Sequence, residues 1–577
     1  MTPRPTFPSR DALARLPFSL VDLVLLAGLI VLLYVVLRVG EGATLSYAPS
    51  GPVHVSTDPS NLPYDAMRSL IRMFIALGLS VLFTLTYGYA AARSRKAERV
   101  LVPALDILQS VPILGFLSVT VTGFIALFPG SYLGLECAAI FAIFTSQAWN
   151  MTFSFYYSLS SLSRELDELS RMLRLTRWQR YWKIEVPAAT IGLVWNGMMS
   201  FGGGWFFLAA AEAISVLNHN YQLPGVGSYV AAATAQGDLG KVGLGILTMI
   251  LLVLAVNVLF WRPLTAWSER YKLEESVSAE RQRSFVLDLL RRSHWPHHLG
   301  RLRRWLAEPL GRAMRWLGRD GGKLPPPKPA TSRSDVIFNL AVVCAIAFGI
   351  YEMSAYINGT VGFGEVAKAF GYGLVTLGRV IVLVIISTLV WVPIGVWIGM
   401  NPRVSRLAQP VVQVLASFPA NFLFPFATLA FIKAGVPLNA GGILLMSLGA
   451  QWYILFNTIA GAMAIPTDLR EAAATLRLSR IQRWRRLILP AIFPAYVTGG
   501  ITAAGGAWNA SIVAEIVTYG KTTLVATGLG AYIAKATQTG NFPEILVGVA
   551  VMSVFVVAFN RLFWRRLYMI AQTRYAL

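Results

Sequence analysis

Apolar residues gather along this chain in long runs divided by short polar or basic stretches. Runs of that length predict helices that cross a bilayer, whose hydrocarbon core takes about 20 apolar residues. They lie near 18–39, 68–92, 100–128, 132–158, 188–217 and 240–262, then near 336–357, 374–400, 407–434, 440–464, 491–519 and 543–565. The expected fold is an all-α polytopic membrane protein, with about twelve transmembrane helices as two homologous six-helix halves. Three blocks follow: a first half over 1–262, a linker over 263–334 and a second half over 335–577. Arg4, Arg10 and Arg15 precede the first run as in a secretory leader, but 18–39 is long enough to span and no clear cleavage site follows it.

Composition agrees with lipid as solvent. Hydrophobic residues make up 55% of the chain and charged residues 14%, against about a quarter charged in soluble domains. The net charge of +22 sits between the apolar runs, which fits a positive-inside bias and no nucleic-acid partner. Basic residues follow the second run (Arg93, Arg95, Lys96, Arg99), the fourth (Arg164 to Lys183), the eighth (Arg403, Arg406) and the tenth (Arg470 to Arg486). The alternate loops are nearly free of them: 40–66 has none and 358–372 only Lys368. Both termini and every basic loop are therefore expected in the cytoplasm. Cys137 and Cys344 stand far apart in apolar segments and suggest no disulfide.

In the linker, Leu and Trp recur among arginines from Phe285 to Leu317, predicting amphipathic helices on the inner membrane surface, and Leu324 to Pro329 reads as a stiff spacer. His294, His297 and His298 cluster there without cysteine or carboxylate ligands, so no metal site is expected.

The chain also repeats itself. At an offset of 303, Trp149, Pro187, Trp205, Glu212, Gly225, Gly227, Tyr229, Asn257, Phe260 and Trp261 meet Trp452, Pro490, Trp508, Glu515, Gly528, Gly530, Tyr532, Asn560, Phe563 and Trp564. Earlier in each half the offset is 307: Arg72, Ser80, Gly88, Pro103, Ser110 and Pro112 meet Arg379, Ser387, Gly395, Pro410, Ser417 and Pro419. Six runs in each half make the repeats parallel, with a pseudo-twofold axis along the membrane normal and a path between them.

The loop after the tenth run reads Glu471-Ala472-Ala473-Ala474-Thr475-Leu476-Arg477 and continues to Leu489-Pro490. It predicts a short helix, a turn and a second helix ending at the proline. The fourth run is followed by a more divergent copy, with Glu168-Leu169-Ser170, Arg171, Arg174 and Val186-Pro187. These loops resemble the Glu-Ala-Ala loop of permease subunits of binding-protein-dependent ABC importers, the type I or MetI-like fold. Arg477 and Arg174 stand where that motif carries glycine. The segments Trp205 with Ala211-Glu212, and Trp508 with Ala514-Glu515, look like those of the nitrate, sulfonate, taurine and bicarbonate group. The resemblance covers about 70–100, 135–262, 374–400 and 440–570.

The resemblance implies a bacterial inner-membrane permease importing a small anion. Its cytoplasmic loops would engage two ATP-binding-cassette domains, and a substrate-binding protein would act outside. ATPase contact is expected at Glu168, Arg171, Arg174, Pro187, Glu471, Ala472, Ala473, Arg477 and Pro490. No catalytic constellation stands out. Gly520-Lys521-Thr522-Thr523 ends like a phosphate-binding loop, but the glycine required five residues earlier is Glu515. ATP and Mg are accordingly expected on the partner, with no cofactor and no metal in this chain.

Polar residues inside membrane helices mark pathways by default. The candidates are Gln109, Ser110, Gln147, Asn150, Asn196, Ser417, Asn421, Gln451 and Asn509. Trp205, Glu212, Trp508 and Glu515 are read as gate or packing residues, the carboxylates protonated or paired, since a carboxylate pair would repel an anion. Lys433 either offers an anion a positive contact or snorkels to the outer interface. The topology alone also fits an ion-gradient-driven secondary transporter of the major facilitator type.

Overall fold

A computed structural model of the chain describes residues 55–162, 164–173, 175–216, 219–271, 285–292 and 333–574. The expected first span at 18–39, Arg174, the histidine cluster, the proline-rich spacer and all of the linker's amphipathic helices but Phe285–Arg292 lie outside the described residues. Those residues divide into two units. One draws on Tyr157–Trp195 and Ala255–Pro329; the larger draws on Ala43–Tyr156, Asn196–Leu254 and Ala330–Leu577 and so contains membrane helices of both halves.

The architecture is helical. Among the described residues, seven helices are long and apolar enough to cross a membrane, and two bent pairs could each add one. Tyr132–Ser160 and Val186–Glu212, of 29 and 27 residues, stand where the repeat places Leu438–Met463 and Leu489–Ala514, and at about 1.5 Å per residue they also exceed a bilayer core.

The structure corrects three expectations. Residues 100–128 and 407–434 are not continuous helices. Helix Arg95–Ser110 breaks before Ile113–Leu127 with a bend of 98°, and Pro402–Ser417 breaks before the turn leading to Phe424–Ala434 with a bend of 84°. Pro112 and Pro419 are the cause: a proline ring drives the preceding residue out of the helical region, and Val111 and Phe418 are extended, at ψ 127° and 132°.

The runs 188–217 and 491–519 are not helical to their ends. Their helices stop at Glu212 and Ala514, and antiparallel hairpins follow, Ala213–Val216 with His219–Gln222 and Ile516–Tyr519 with Thr522–Val525. Six of the eight strand residues of the second hairpin are β-branched, and Gly520, at φ 56°, makes its turn.

The helix after each basic loop, finally, does not end at proline. It starts at Arg177 or Arg480, each behind a capping box (Thr176 with Gln179, Ser479 with Gln482), and passes through Pro187 or Pro490. A π-turn precedes each proline, Tyr181–Glu185 and Trp484–Ile488. Proline removes one amide donor and crowds the carbonyl four residues back, and the wider turn absorbs both.

The main core lies in the larger unit, where Leu438–Met463 packs along Leu489–Ala514 and Phe363–Met400. Small residues permit this. A Cβ on Gly499 would meet the Tyr453 carbonyl at 2.8 Å, and one on Gly461 the Ala495 methyl at 2.8 Å. Close approach through small residues is how helices associate where lipid removes the usual hydrophobic drive.

Candidate functional site

In each half a buried polar anchor ties a hairpin to the membrane helices. Glu212 ends the long helix Val186–Glu212, fully buried. Its Oε1 accepts from Arg72 Nη1 and from Ser69 Oγ, both at 2.6 Å, and its Oε2 from the Gly227 amide at 2.7 Å. Ser69 Oγ in turn accepts from the Val226 amide at 3.0 Å. The carboxylate thus meets backbone donors at the start of Val226–Gln236, where a helix leaves its first amides free. Arg72 also reaches Glu136, with Nε–Oε2 at 2.5 Å and Nη2–Oε1 at 2.7 Å, and Arg68 is a second donor to Glu136. Asp65, one turn from Arg68 and also buried, has one carboxylate oxygen without a hydrogen-bond partner among the described residues.

The second half repeats the plan. Glu515 Oε1 accepts from Arg379 Nη1 at 2.7 Å and Thr376 Oγ1 at 2.9 Å, and its Oε2 accepts from the Ala531 amide at 3.0 Å. Thr376 Oγ1 accepts from the Leu529 amide at 2.9 Å. Glu136 is replaced by Asn439, whose Oδ1 accepts from Arg379 Nη2 at 2.9 Å and from the Thr527 amide at 2.8 Å. Gly225 and Gly528 are required by proximity, since a Cβ on either would overlap the carboxylate of Glu212 or Glu515. The sequence pairs Glu212 with Glu515 and Arg72 with Arg379 but does not reveal that they touch. The one signal was that all four are charges in apolar runs, and such charges seek one another.

Between the anchored hairpins lies a cavity of about 390 Å³. Leu114 and Val230 line it from the first half, and Asn421, Phe424, Val517 and Thr537 from the second. Two narrower cavities, of about 50 Å³ around Phe207, Tyr453 and Asn509 and about 30 Å³ around Met198, Gln413 and Ser417, lie where Val186–Glu212 meets Pro402–Ser417 and Leu438–Met463. Among the described residues, no Asp, Glu, Lys or Arg lines any of the three. The second hairpin reaches the first half, where Tyr519 Oη donates to the Gly237 carbonyl at 2.9 Å and the Gly520 amide to the Thr234 carbonyl at 3.1 Å. Gly520-Lys521 is thus a hairpin turn.

Of the nine polar candidates, Asn421, Asn509 and Ser417 line these cavities. The others do not. Gln109 Nε2 donates to Asn150 Oδ1 at 3.3 Å, and Ser110 Oγ bonds back to the Asp106 carbonyl. Asn196 Nδ2 donates to Ser154 Oγ at 3.0 Å, and Gln451 Oε1 accepts from Trp391 Nε1 at 2.9 Å. Gln147 is fully buried against Gly204. Asn509 also ties the halves together, because its Oδ1 accepts from the Ile113 amide at 2.9 Å, a donor freed by the break at Pro112. Trp205 and Trp508 are buried. Lys433 is exposed at the end of Phe424–Ala434.

The two basic loops differ in how they spend their charges. In the second, Thr467–Thr475 ends in a tight cap, with the Arg477 amide bonding to Ala474 O and the Leu478 amide to Ala473 O. Arg477, at φ 48°, is the one described non-glycine residue with positive φ, a conformation that costs a side-chain-bearing residue about 1–2 kcal/mol. Glu471, Ala472, Arg477, Arg480, Arg483, Arg485 and Arg486 are exposed, while Ala473 is buried. In the first loop the Leu175 amide bonds to Ser170 O in the same pattern. Here Arg180 is turned inward, with Nε on Glu185 Oε1 at 2.7 Å and Nη1 on Ser170 Oγ at 3.3 Å. Glu168 is exposed, and Pro187 and Pro490 are half-buried. Arg171 belongs to Arg164–Met172, but its side chain is outside the described residues, as is Arg174 altogether.

A family model described as binding-protein-dependent transport system inner membrane component matches residues 84–262 and again 391–571, together more than half of the chain. A nitrate import permease protein of Leptolyngbya laminosa is 28% identical over 187 residues, 32% of this chain and 63% of that protein. A bicarbonate transport system permease protein of Synechococcus elongatus is 30% identical over 164 residues, 28% of this chain and 56% of its own length. A taurine transport system permease protein of Escherichia coli is 24% identical over 205 residues, 36% and 70% of the two chains. The alignment thus spans about three fifths of the nitrate and bicarbonate relatives.

Proposed function

The chain belongs to the family of binding-protein-dependent transport system inner membrane components, and from that premise we propose that it is the complete membrane path of an ATP-driven importer of a small anion. One copy supplies both permease halves. The observation that carries this reading is the duplicated unit itself: a capped basic loop at one end of a long helix and an Arg–Glu-anchored hairpin at the other, twice. Leu489–Ala514 has 26 residues, about 39 Å of helix, long enough for the second half's loop and anchor to lie at opposite membrane faces.

Two ATP-binding-cassette domains, holding ATP and Mg, receive the loops in the cytoplasm, and a binding protein delivers the anion outside. A ligand moves a two-state equilibrium only by binding its states differently. ATP achieves this by closing the cassette dimer, which draws the loops together and rocks the long helices. At the far end the anchored hairpins move as rigid caps over the cavity. Nitrate, bicarbonate, a sulfonate or taurine is the cargo class, in line with the relatives. The uncharged cavity lining supports a path that does not hold its cargo tightly, leaving selectivity to the binding protein.

The test is purification of the tagged chain from its native membrane, with co-eluting proteins identified and ATP hydrolysis assayed. A co-eluting cassette ATPase, lost on Glu471→Lys with Arg477→Glu, is the expected result. Uptake driven by an ion gradient without any ATPase contradicts the proposal.

A further inference from the structure

The three cavities follow one another along the same helices. On Val186–Glu212 the widest is lined at Ala209 and Ala210, the next at Gly203 and Phe207, and the smallest at Met198 and Met199. From Met198 to Ala210 the helix rises about 18 Å. The series therefore runs from the hairpin end into the membrane. Tyr453 and Ala416 line both of the narrow cavities. Ala416 offers only a methyl group, so the tyrosine is the side chain that divides them. At about 50 and 30 Å³, each has room for a few waters.

Tyr453 is held by bare backbone. A Cβ on Gly203 would lie 3.3 Å from its Oη, and one on Gly506 3.7 Å from its ring. These glycines are repeat partners at the offset of 303, so the ring occupies the seam where the halves meet. The Tyr453 hydroxyl makes no hydrogen bond among the described residues, and nothing polar tethers the ring in place. The repeat position of Tyr453 holds Asn150, which accepts from Gln109 at 3.3 Å and lines none of the three cavities. The seam is thus filled from one half alone. We propose that Tyr453 is the barrier of the cargo path, a single side chain of the second half that seals the smallest cavity from the two wider ones and swings aside when cargo passes. This rests on the reading of the cavities as that path. An aromatic ring across so narrow a channel blocks it by excluding water as well as by bulk.

The experiment uses the full chain in sealed vesicles of either orientation, with Cys137 and Cys344 replaced by alanine. Ser417→Cys and Ala420→Cys serve as separate reporters, because residues 417 and 420 line the cavities on either side of Tyr453. The probe is a small, membrane-impermeant sulfonated thiol reagent. With Tyr453 present, reagent from either face is expected to label no more than one reporter. With Tyr453→Ala, reagent from one face labels both, the second at a rate raised about tenfold. Tyr453→Phe keeps the ring and is expected to label like the parent. Tyr453→Asn, which carries the residue of the repeat position, is the second truncation should the alanine variant not fold. The assay needs neither ATPase nor binding protein, so a parent chain without ATP-driven uptake would refute the importer reading while the labelling still decides the barrier. Tyr453 is not the barrier if one face labels both reporters while it is in place, or if neither truncation lets a single face label both.

Discussion

At the hairpin end of the first half, Arg72 bridges two carboxylates, Glu136 and Glu212, and Arg68 joins it on Glu136. At the same place in the second half, Arg379 bridges Glu515 and the neutral Asn439. The repeat partners of Arg68 and Glu136 are Val375 and Asn439, so the two halves differ by a whole ion pair rather than by one charge. A buried pair can be exchanged for neutral residues at little net cost, but a buried charge left alone is strongly destabilising. What both halves keep is the part that reaches backbone: one guanidinium on one glutamate, one hydroxyl, and the amides opening the short helix. The hairpin anchor is therefore the shared requirement, and the extra pair is an elaboration of the first half.

This comparison can be broken in a graded way. Arg379→Ala, which leaves Glu515 without its cation, is expected to cost about 3–5 kcal/mol and to abolish accumulation of folded protein, read by size-exclusion of a fluorescent fusion. Glu136→Asn alone should lower the thermal midpoint in detergent by an amount equivalent to about 3 kcal/mol, because Arg68 loses its carboxylate. Adding Arg68→Val should return the midpoint to within about 1 kcal/mol of the parent. If the double variant is as unstable as the single, the pair is not dispensable and the comparison fails.

Gly225→Ala and Gly528→Ala should each cost about 1–3 kcal/mol through overpacking against the carboxylate, and by similar amounts in both halves; a loss confined to one would show that the anchors are not equivalent. The smallest effect belongs to Arg477→Gly, which should stabilise the loop by about 1 kcal/mol by relieving positive φ, read as a raised midpoint. The same variant should lower ATP-coupled uptake, because the exposed Arg477 side chain, unlike the inward-turned Arg180 of the first loop, is left to face a partner.

The membrane helices and the duplication were legible in the sequence because apolar run length and register survive divergence. The breaks at Pro112 and Pro419 were missed although both prolines were matched between halves: each lies inside an apolar run that hydropathy alone cannot divide. The hairpins were missed for the same reason, since Ile516-Val517-Thr518-Tyr519 extends an apolar helix without a change of polarity. Among polar candidates, type and depth did not separate Gln451, turned to Trp391 in its own half, from Asn509, turned across to Ile113. That depends on which helix faces which, and contact lies beyond what one sequence pattern encodes. Glu212 and Glu515 were singled out by repetition; their partners Ser69 and Thr376 gave no signal, because hydroxyls are common in membrane helices.

The claim on which the rest depends is that one copy of this chain forms the whole path, with both loops engaged. Native mass spectrometry of the complex, released from nanodiscs with ATP trapped, measures this directly. The account predicts one copy of this chain with two cassette ATPase subunits, and a complex that loses them when Glu471 and Arg477 are charge-reversed. Two copies of this chain per ATPase pair, or a chain that never carries an ATPase, would contradict it.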